Sequence, residues 1–523
     1  MKKTYHYLRD KYQTVRERPL TGKIIFIAMS VAATLWFLIR VIPKPTRATY
    51  PCMQAAAPIM SSFVIWLLAV SGSLASYRKA KDFFRRKRYA YAFVLVGLCL
   101  VSATIFTVSN TQFALAQLPQ TEPKMHNAPN TPLGEGKGIF PGKVAWVHAP
   151  GVSQWDGENG FWFDDRWNDQ AKADQLMASS ITTLTATNSQ AAAWAALFRH
   201  FNETHGKGGA EYRKGEKVVI KINTNNTTSH ADSEELNTSP HLALALLRSL
   251  VYEAGVPQED IVLCEPSRFI TDNIFDKCAA EFPDVNYLDF EGGNGRIKVQ
   301  YVADAIPYSK DNGVLARGLA TCIVEADYLI NCSLLKIHSG PGVTLTAKNW
   351  YGATDIDKNW RNNSHEGINQ DRSGKKAYKT AVDFIGHRDL GQKTMLYIID
   401  GLYGSRDVNG KPFPQWKMEP FNGDWACSLL VSQDPLAVDA VGLDLLAGEW
   451  PEVASLNYCD EYLVEAAMIP NAPSGMVYDP ERDNDPLTAP LGVMEHWNNS
   501  RDKQYSRNLG KEEGIELVYH RIN

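Results

Sequence analysis

Three apolar stretches near the start of the chain constrain its fold more than any other feature. Ile24 to Ile42, Ala55 to Ala75 and Tyr89 to Val108 have no charge near their centres. Each approaches the roughly 20 apolar residues that a helix needs to cross about 30 Å of hydrocarbon. Arg40, near the end of the first stretch, can snorkel towards the headgroups, and Tyr89 and Tyr91 sit where an interfacial aromatic belt is found. The expectation is a membrane anchor of three transmembrane helices over residues 1–116, in contact with membrane lipid.

Charge then sets the topology. The net charge of -4 averages two unlike regions. Before Gln117 there are 17 Lys and Arg against three Asp and Glu, a balance of +14, and the remaining 37 against 55 give -18. Seven basic residues precede the first stretch and seven lie between Arg78 and Arg88, with three in the loop between the first two stretches. Basic loops remain cytoplasmic. The N-terminus is therefore expected inside, and the large region after Val108 outside, in the periplasm or at the outer face. A cytoplasmic loop accounts for the basic run, so no nucleic-acid partner is expected. Phe113-Ala114-Leu115-Ala116 has the small-x-small pattern of a signal-peptidase site.

Residues 117–142 are rich in Pro, Gly, Thr and Asn and read as a flexible linker. From Lys143 onwards short apolar runs alternate with amphipathic stretches. Strands are expected at Val144 to Val147, Lys217 to Ile222, Ile261 to Cys264, Val285 to Phe290, Ala326 to Leu335, Thr394 to Asp400 and Ser428 to Ser432. Helices are expected at Ala171 to Thr183, Ser189 to Glu203 with Ser189 as N-cap, His241 to Ala254 ended by Gly255, Asp272 to Phe282, from about Ala316, and from Asp434-Pro435 to about Gly448. Strand, helix and strand at this spacing make the second and third strands parallel neighbours. Residues 143–523 thus read as one α/β domain, a mostly parallel sheet with helices on both faces.

Ligands of such sheets bind beyond the carboxyl ends of the strands. Polar residues just past apolar runs are therefore the candidates: Lys221, Asn223 and Asn225; Lys336 and His338; Asp400; Asp434 and, one turn into its helix, Asp439. The densest stretch is Asn331 to Gly352, where Gly340-Pro341-Gly342 is expected to turn the chain into a helix carrying Lys348 and Asn349. The free N–H groups of that helix start suit a carboxylate or phosphate. His338 can exchange protons near neutral pH, Lys336 lies on its side of the strand, and a desolvated Lys348 can become a base or nucleophile. His338, Lys348 and Lys336 are the candidate catalytic groups. A small anionic ligand is the expected partner. His365, in a polar loop, can join His338 in a cluster.

Several chemistries are excluded. There is no Cys-x-x-Cys, hence no iron-sulfur cluster motif, and no His-Glu-x-x-His, Gly-x-Ser-x-Gly or triphosphatase phosphate loop. Eight cysteines in 523 residues are too few for a disulfide scaffold. Of the six beyond the anchor, which an oxidising compartment would allow to pair, Cys264 and Cys332 lie in apolar strand runs as core residues do.

Lys217 to Asn223, Ala326-Asp327 to His338, Val343 to Gly352 with its Thr-Leu-x-x-Lys-Asn-x-x-Gly pattern, Ile399-Asp400-Gly401 and Asp434 to Ala440 together resemble the DUF362 family, whose function is unknown. The resemblance extends over roughly Lys143 to Gly448. Some members carry ferredoxin-like cysteine clusters, which this chain lacks. The spacing of His338, Lys348 and His365 is also similar to that in nickel-pincer-dependent lactate racemases. That similarity implies proton transfer by His338, anchoring of a cofactor by Lys348 and metal ligation by His365.

Overall fold

Apolar alternation along each strand divides the buried apolar residues between the two faces of a central sheet. The computed structural model describes residues 131–224, 227–310, 315–338, 342–356, 377–407, 410–451 and 459–523. The three apolar stretches expected to cross a membrane, together with Asn225, Gly340 and His365, lie outside these residues. Among the described residues no helix is long and apolar enough to cross a membrane.

The sheet has ten strands: β1 (Lys143–His148), β2 (Val218–Lys221), β3 (Ile261–Glu265), β4 (Asn286–Asp289), β5 (Ile297–Lys298), β6 (Tyr328–His338), β7 (Gly342–Thr344), β8 (Thr394–Ser405), β9 (Ser428–Ser432) and β10 (Glu516–Arg521). Their order is β10-β1-β9-β8-β6-β2-β3-β4-β5, with β7 paired to β6. The run from β8 to β5 is parallel throughout, and β2 and β3 are the parallel neighbours expected from their spacing. Only β9, which pairs with β8 and β1, and the short β7 run antiparallel to their neighbours.

Successive side chains of a strand point to opposite faces. Ile220, Leu263, Ile330, Ile398 and Val431 therefore enter one core. Their chain neighbours go to the other face, Val219, Val262 and Leu329 to one cluster and Ile399 and Leu430 to another. The first face is covered by α1 (Gln170–Thr185), α2 (Gln190–Thr204), α3 (Pro240–Arg248) and α4 (Asp272–Ala279). Beyond the short α5 (Thr321–Val324), the second face receives α6 (Thr346–Asn349), α7 (Thr380–Gly386), α8 (Pro435–Glu449) and α9 (Glu461–Ala467). Ser189 caps α2 as expected, its Oγ accepting from the Ala192 N–H at 3.2 Å.

Three local expectations change. β6 runs on to His338 rather than stopping near Leu335, because β7 folds back on it and pairs Gly342 with His338 and Thr344 with Lys336. The helix expected from Ala316 is only the one turn of α5, since Leu319 and Ala320 are taken by a two-stranded pairing with Tyr301 and Val302. The helix expected to run to Ala254 is α-helical only to Arg248, continues as a π-turn over Ser249–Glu253, and is released by Gly255 at φ +71°. None of the six described cysteines is in a disulfide, and Cys264 and Cys332 are core residues as expected.

Candidate functional site

Lys221 and Glu265 close adjacent parallel strands, so the sheet delivers both side chains to one end. The buried Lys221 Nζ donates to Glu265 Oε2 at 2.9 Å, to the Ile222 carbonyl at 2.6 Å and to Asn349 Oδ1 at 3.1 Å. Glu265 Oε2 also accepts from the Thr224 N–H at 3.0 Å, and its Oε1 from Ser267 Oγ at 3.1 Å. Asn349 is the clamp between layers. Its Nδ2 donates to Asn331 Oδ1 at 2.8 Å and to the carbonyls of Cys332 and Lys221, while its Oδ1 accepts from Asn223 Nδ2 at 3.0 Å. Gly352 belongs to the same construction, because a Cβ there would stand 2.9 Å from both Glu265 Oε1 and Lys221 Nζ. Lys221, Asn223 and Asn349 thus come together as a cross-braced floor that ties α6 to β2, β3 and β6.

Lys348 stands beside this floor in a different state. It is half-buried, and among the described residues its amine makes neither a hydrogen bond nor an ion pair, lying 5.4 Å from the centre of the Tyr351 ring. Burial, followed by the charges of Arg268 and Lys221, lowers its pKa to about 7. Burial and then Lys348 itself push Lys336 well below the usual lysine range, with Glu235 pulling the other way. Burial also lowers Arg268, against the opposing pull of Glu265, Tyr351 and Glu235. Glu235 is raised by burial and drawn back by Lys336 and Arg268. Among the described residues, the cations of Lys221, Arg268, Lys336 and Lys348 and the carboxylates of Glu235 and Glu265 thus act on one another.

The aspartates expected near the site do something else. Asp439 accepts from Thr346 N–H and Oγ1, Ala347 N–H and Tyr462 OH at 2.7 to 3.0 Å. The start of α6, expected to offer its N–H groups to a ligand, thus already holds a carboxylate of the chain itself. Asp434 caps α8 through Leu436 and Ala437 and accepts from the N–H groups of Lys137 and Val493. Asp400 caps the start of α3 through the Ser239 N–H at 2.7 Å. Burial raises all three, Asp400 and Asp434 to about 6. Gly342 is placed by packing, since a Cβ there would be 2.5 Å from Cys459 Cβ. His338 is buried at the end of β6, two residues beyond Lys336 on the same side of the strand.

Sequence reasoning missed Glu265, Arg268, Glu235 and Tyr351. A signal for the first two was present, because Glu265-Pro266-Ser267-Arg268 directly follows an apolar strand run, the rule that picked out Lys221. Among the described residues no group of three or more His, Cys, Asp or Glu side chains is placed to hold a metal ion.

Every member of the cluster lies between β2 and the middle of α8. Residues 218–444 match the model of DUF362, a domain of unknown function. The DUF362 match begins at the first residue of β2, so β1 and β10 stand outside it, as does the C-terminal segment. No curated protein and no solved structure matches the chain.

Proposed function

We propose that this is a membrane-anchored protein of the cell envelope whose α/β domain holds a small anion, as an enzyme or as a cofactor-binding protein. The observation that carries the reading is the charge balance of the cluster. Lys221 pairs with Glu265 at 2.9 Å, and among the described residues the charges of Arg268 and Lys221 act on Lys348 and that of Lys348 on Lys336, against the pull of Glu235 and Glu265. An anion bound among these cations would restore the depressed protons of the two lysines. The envelope location rests on the apolar stretches between Ile24 and Val108 and on their basic loops. Of the expected linker, residues 131–142 are fastened to the domain, Leu133 and Gly134 pairing with Met494 and Val493 and the Lys137 N–H donating to Asp434, so only the part before them is left as a tether.

The test is calorimetric titration of the full-length protein in detergent with inorganic phosphate, in two buffers of different ionisation enthalpy. Binding is expected to take up protons and to weaken as pH rises through about 7, where Lys348 loses its charge. Lys336→Met and Arg268→Met should each weaken it by about tenfold or more, the worth of a charge-assisted hydrogen bond. The exposed Lys214→Ala should leave it unchanged. Phosphate binding that ignores the first two substitutions would remove the reading. Mass spectrometry of co-purified small molecules, with a turnover assay on whatever is found, separates an enzyme from a binding or assembly protein.

A further inference from the structure

We propose that a cleft at the opposite end of the sheet binds a small carboxylic acid with an apolar body, such as an arylacetate. The cleft opens where β8 begins, at Thr394 and Met395. Because β8 runs parallel to β6, β2 and β3, this is the end away from Lys221 and Glu265. Its volume is about 310 Å³, at the lower limit of the roughly 300–1,000 Å³ typical of small-molecule sites. Part of its lining is apolar and buried: Phe201 of α2, Ile385 of α7, Met395 of β8 and Leu491. A ligand that fills it therefore needs a hydrocarbon body, which inorganic phosphate lacks.

The rest of the lining offers hydrogen-bond donors without acceptors. Gly138, at φ +102°, lets the chain pass so close to Gln433 that a Cβ there would stand 2.9 Å from the Gln433 Cβ. The Ile139 N–H then donates to Gln433 Oε1 at 3.0 Å, which leaves the amide NH2 of Gln433 unspent. Lys137, in the same segment, is held through its backbone N–H by Asp434 at 2.8 Å, and its ammonium lines the cleft. From α2 comes the half-buried His200. Among the described residues no hydrogen bond or ion pair is made by the Lys137 ammonium, the Gln433 NH2 or the His200 ring. His205 adds charge to the same wall. Its Nδ1 stands 2.7 Å from the Phe201 carbonyl and its Nε2 2.6 Å from that of Gln392. Carbonyls only accept, so both bonds form together only in the imidazolium. The carboxylates nearby are Glu203, whose charge acts on His200, and Asp434, already spent on capping α8 and on Lys137 and Val493. Unspent donors and positive charge beside an apolar wall suit a carboxylate on a hydrocarbon body.

The experiment is a fluorine NMR titration of the full-length protein in detergent with 4-fluorophenylacetate, with empty micelles as the blank. Saturable binding is expected, and the uncharged 4-fluorobenzyl alcohol should bind at least about tenfold more weakly, the worth of a hydrogen bond to a charged group. His200→Leu should weaken the probe by about tenfold and Lys137→Met by about threefold, the smaller loss because that lysine is exposed. Thr204→Trp, at an exposed position of the lining, should block the cleft without disturbing the core, and it keeps the test open if the histidine variant does not fold. Lys336→Met and added inorganic phosphate should leave the probe's affinity unchanged, which separates this cleft from the anion site proposed above. Signal change no greater than with empty micelles overturns the inference, as does equal binding of the alcohol. Binding that survives Thr204→Trp, or that is lost in Lys336→Met, places the probe elsewhere and overturns it too.

Discussion

At the residue scale, Lys221 is a lysine that holds the fold. Lys221 looked like a ligand-binding group because it follows an apolar strand, but its three hydrogen bonds are spent on Glu265, Ile222 and Asn349. Lys221→Met leaves Glu265 as a buried carboxylate without its cation, and should cost about 3–5 kcal/mol. Urea melts of the full-length protein, followed by tryptophan fluorescence, measure this. A loss under about 1 kcal/mol would mean that the pair is not a structural brace. The partnership was hidden in the sequence for a physical reason: 44 residues separate Lys221 from Glu265, and only the parallel register of β2 on β3 brings them together. Lys336 and Lys348 were legible, because strand ends and their nearest turns are where α/β sheets present polar groups.

At the element scale, a four-residue helix depends on a carboxylate 93 residues further along the chain. α6 has four residues, too few to persist on its own hydrogen bonds, and its start is fixed by Asp439 from the middle of α8, 93 residues away from Thr346. Asp439→Ala removes these bonds and leaves the N–H groups of Thr346 and Ala347 buried without their acceptor. The expected loss is about 2–4 kcal/mol. Lys348 should also be displaced, so phosphate binding weakens along with stability. Asp439→Asn retains an acceptor and should recover part of both, whereas equal losses in the two variants would show that the carboxylate is not acting as a cap. The element boundaries that sequence placed well are those with local causes, such as Ser189 at α2 and Asp434-Pro435 at α8. Those it misplaced, at the end of β6 and before α5, are set by pairing with another strand.

At the scale of the whole molecule, the sheet gathers the site from β2, the turn after β3, β6 and α6, while a separate network secures the C-terminal segment. The buried His496 donates through Nδ1 to Asp444 in α8 at 2.7 Å, with Asp460 3.6 Å from its Nε2 and Tyr505 OH on Asp444 at 2.8 Å. Burial alone would lower this histidine, but Asp444 and Asp460 together raise it to about 10. A histidine raised in the fold contributes stability that is complete below the unfolded value of about 6.5 and is lost as pH rises through the folded one. The melting temperature of the full-length protein should therefore fall between pH 7 and 10, and His496→Gln should flatten that slope; an unchanged slope would place its origin elsewhere. The parallel core of the sheet was legible from alternating strands and helices. The insertion of β1 between the C-terminal strands β9 and β10 was not, because it joins chain segments separated by hundreds of residues. Arg268, Lys336 and Lys348 are proposed to form one anion site in an otherwise acidic domain. Anomalous diffraction from crystals of the full chain soaked in tungstate, a heavy analogue of a small oxyanion, tests it most directly. The expected result is a peak among these three side chains that disappears in Lys336→Met. Tungstate bound elsewhere, with that position empty, would contradict it.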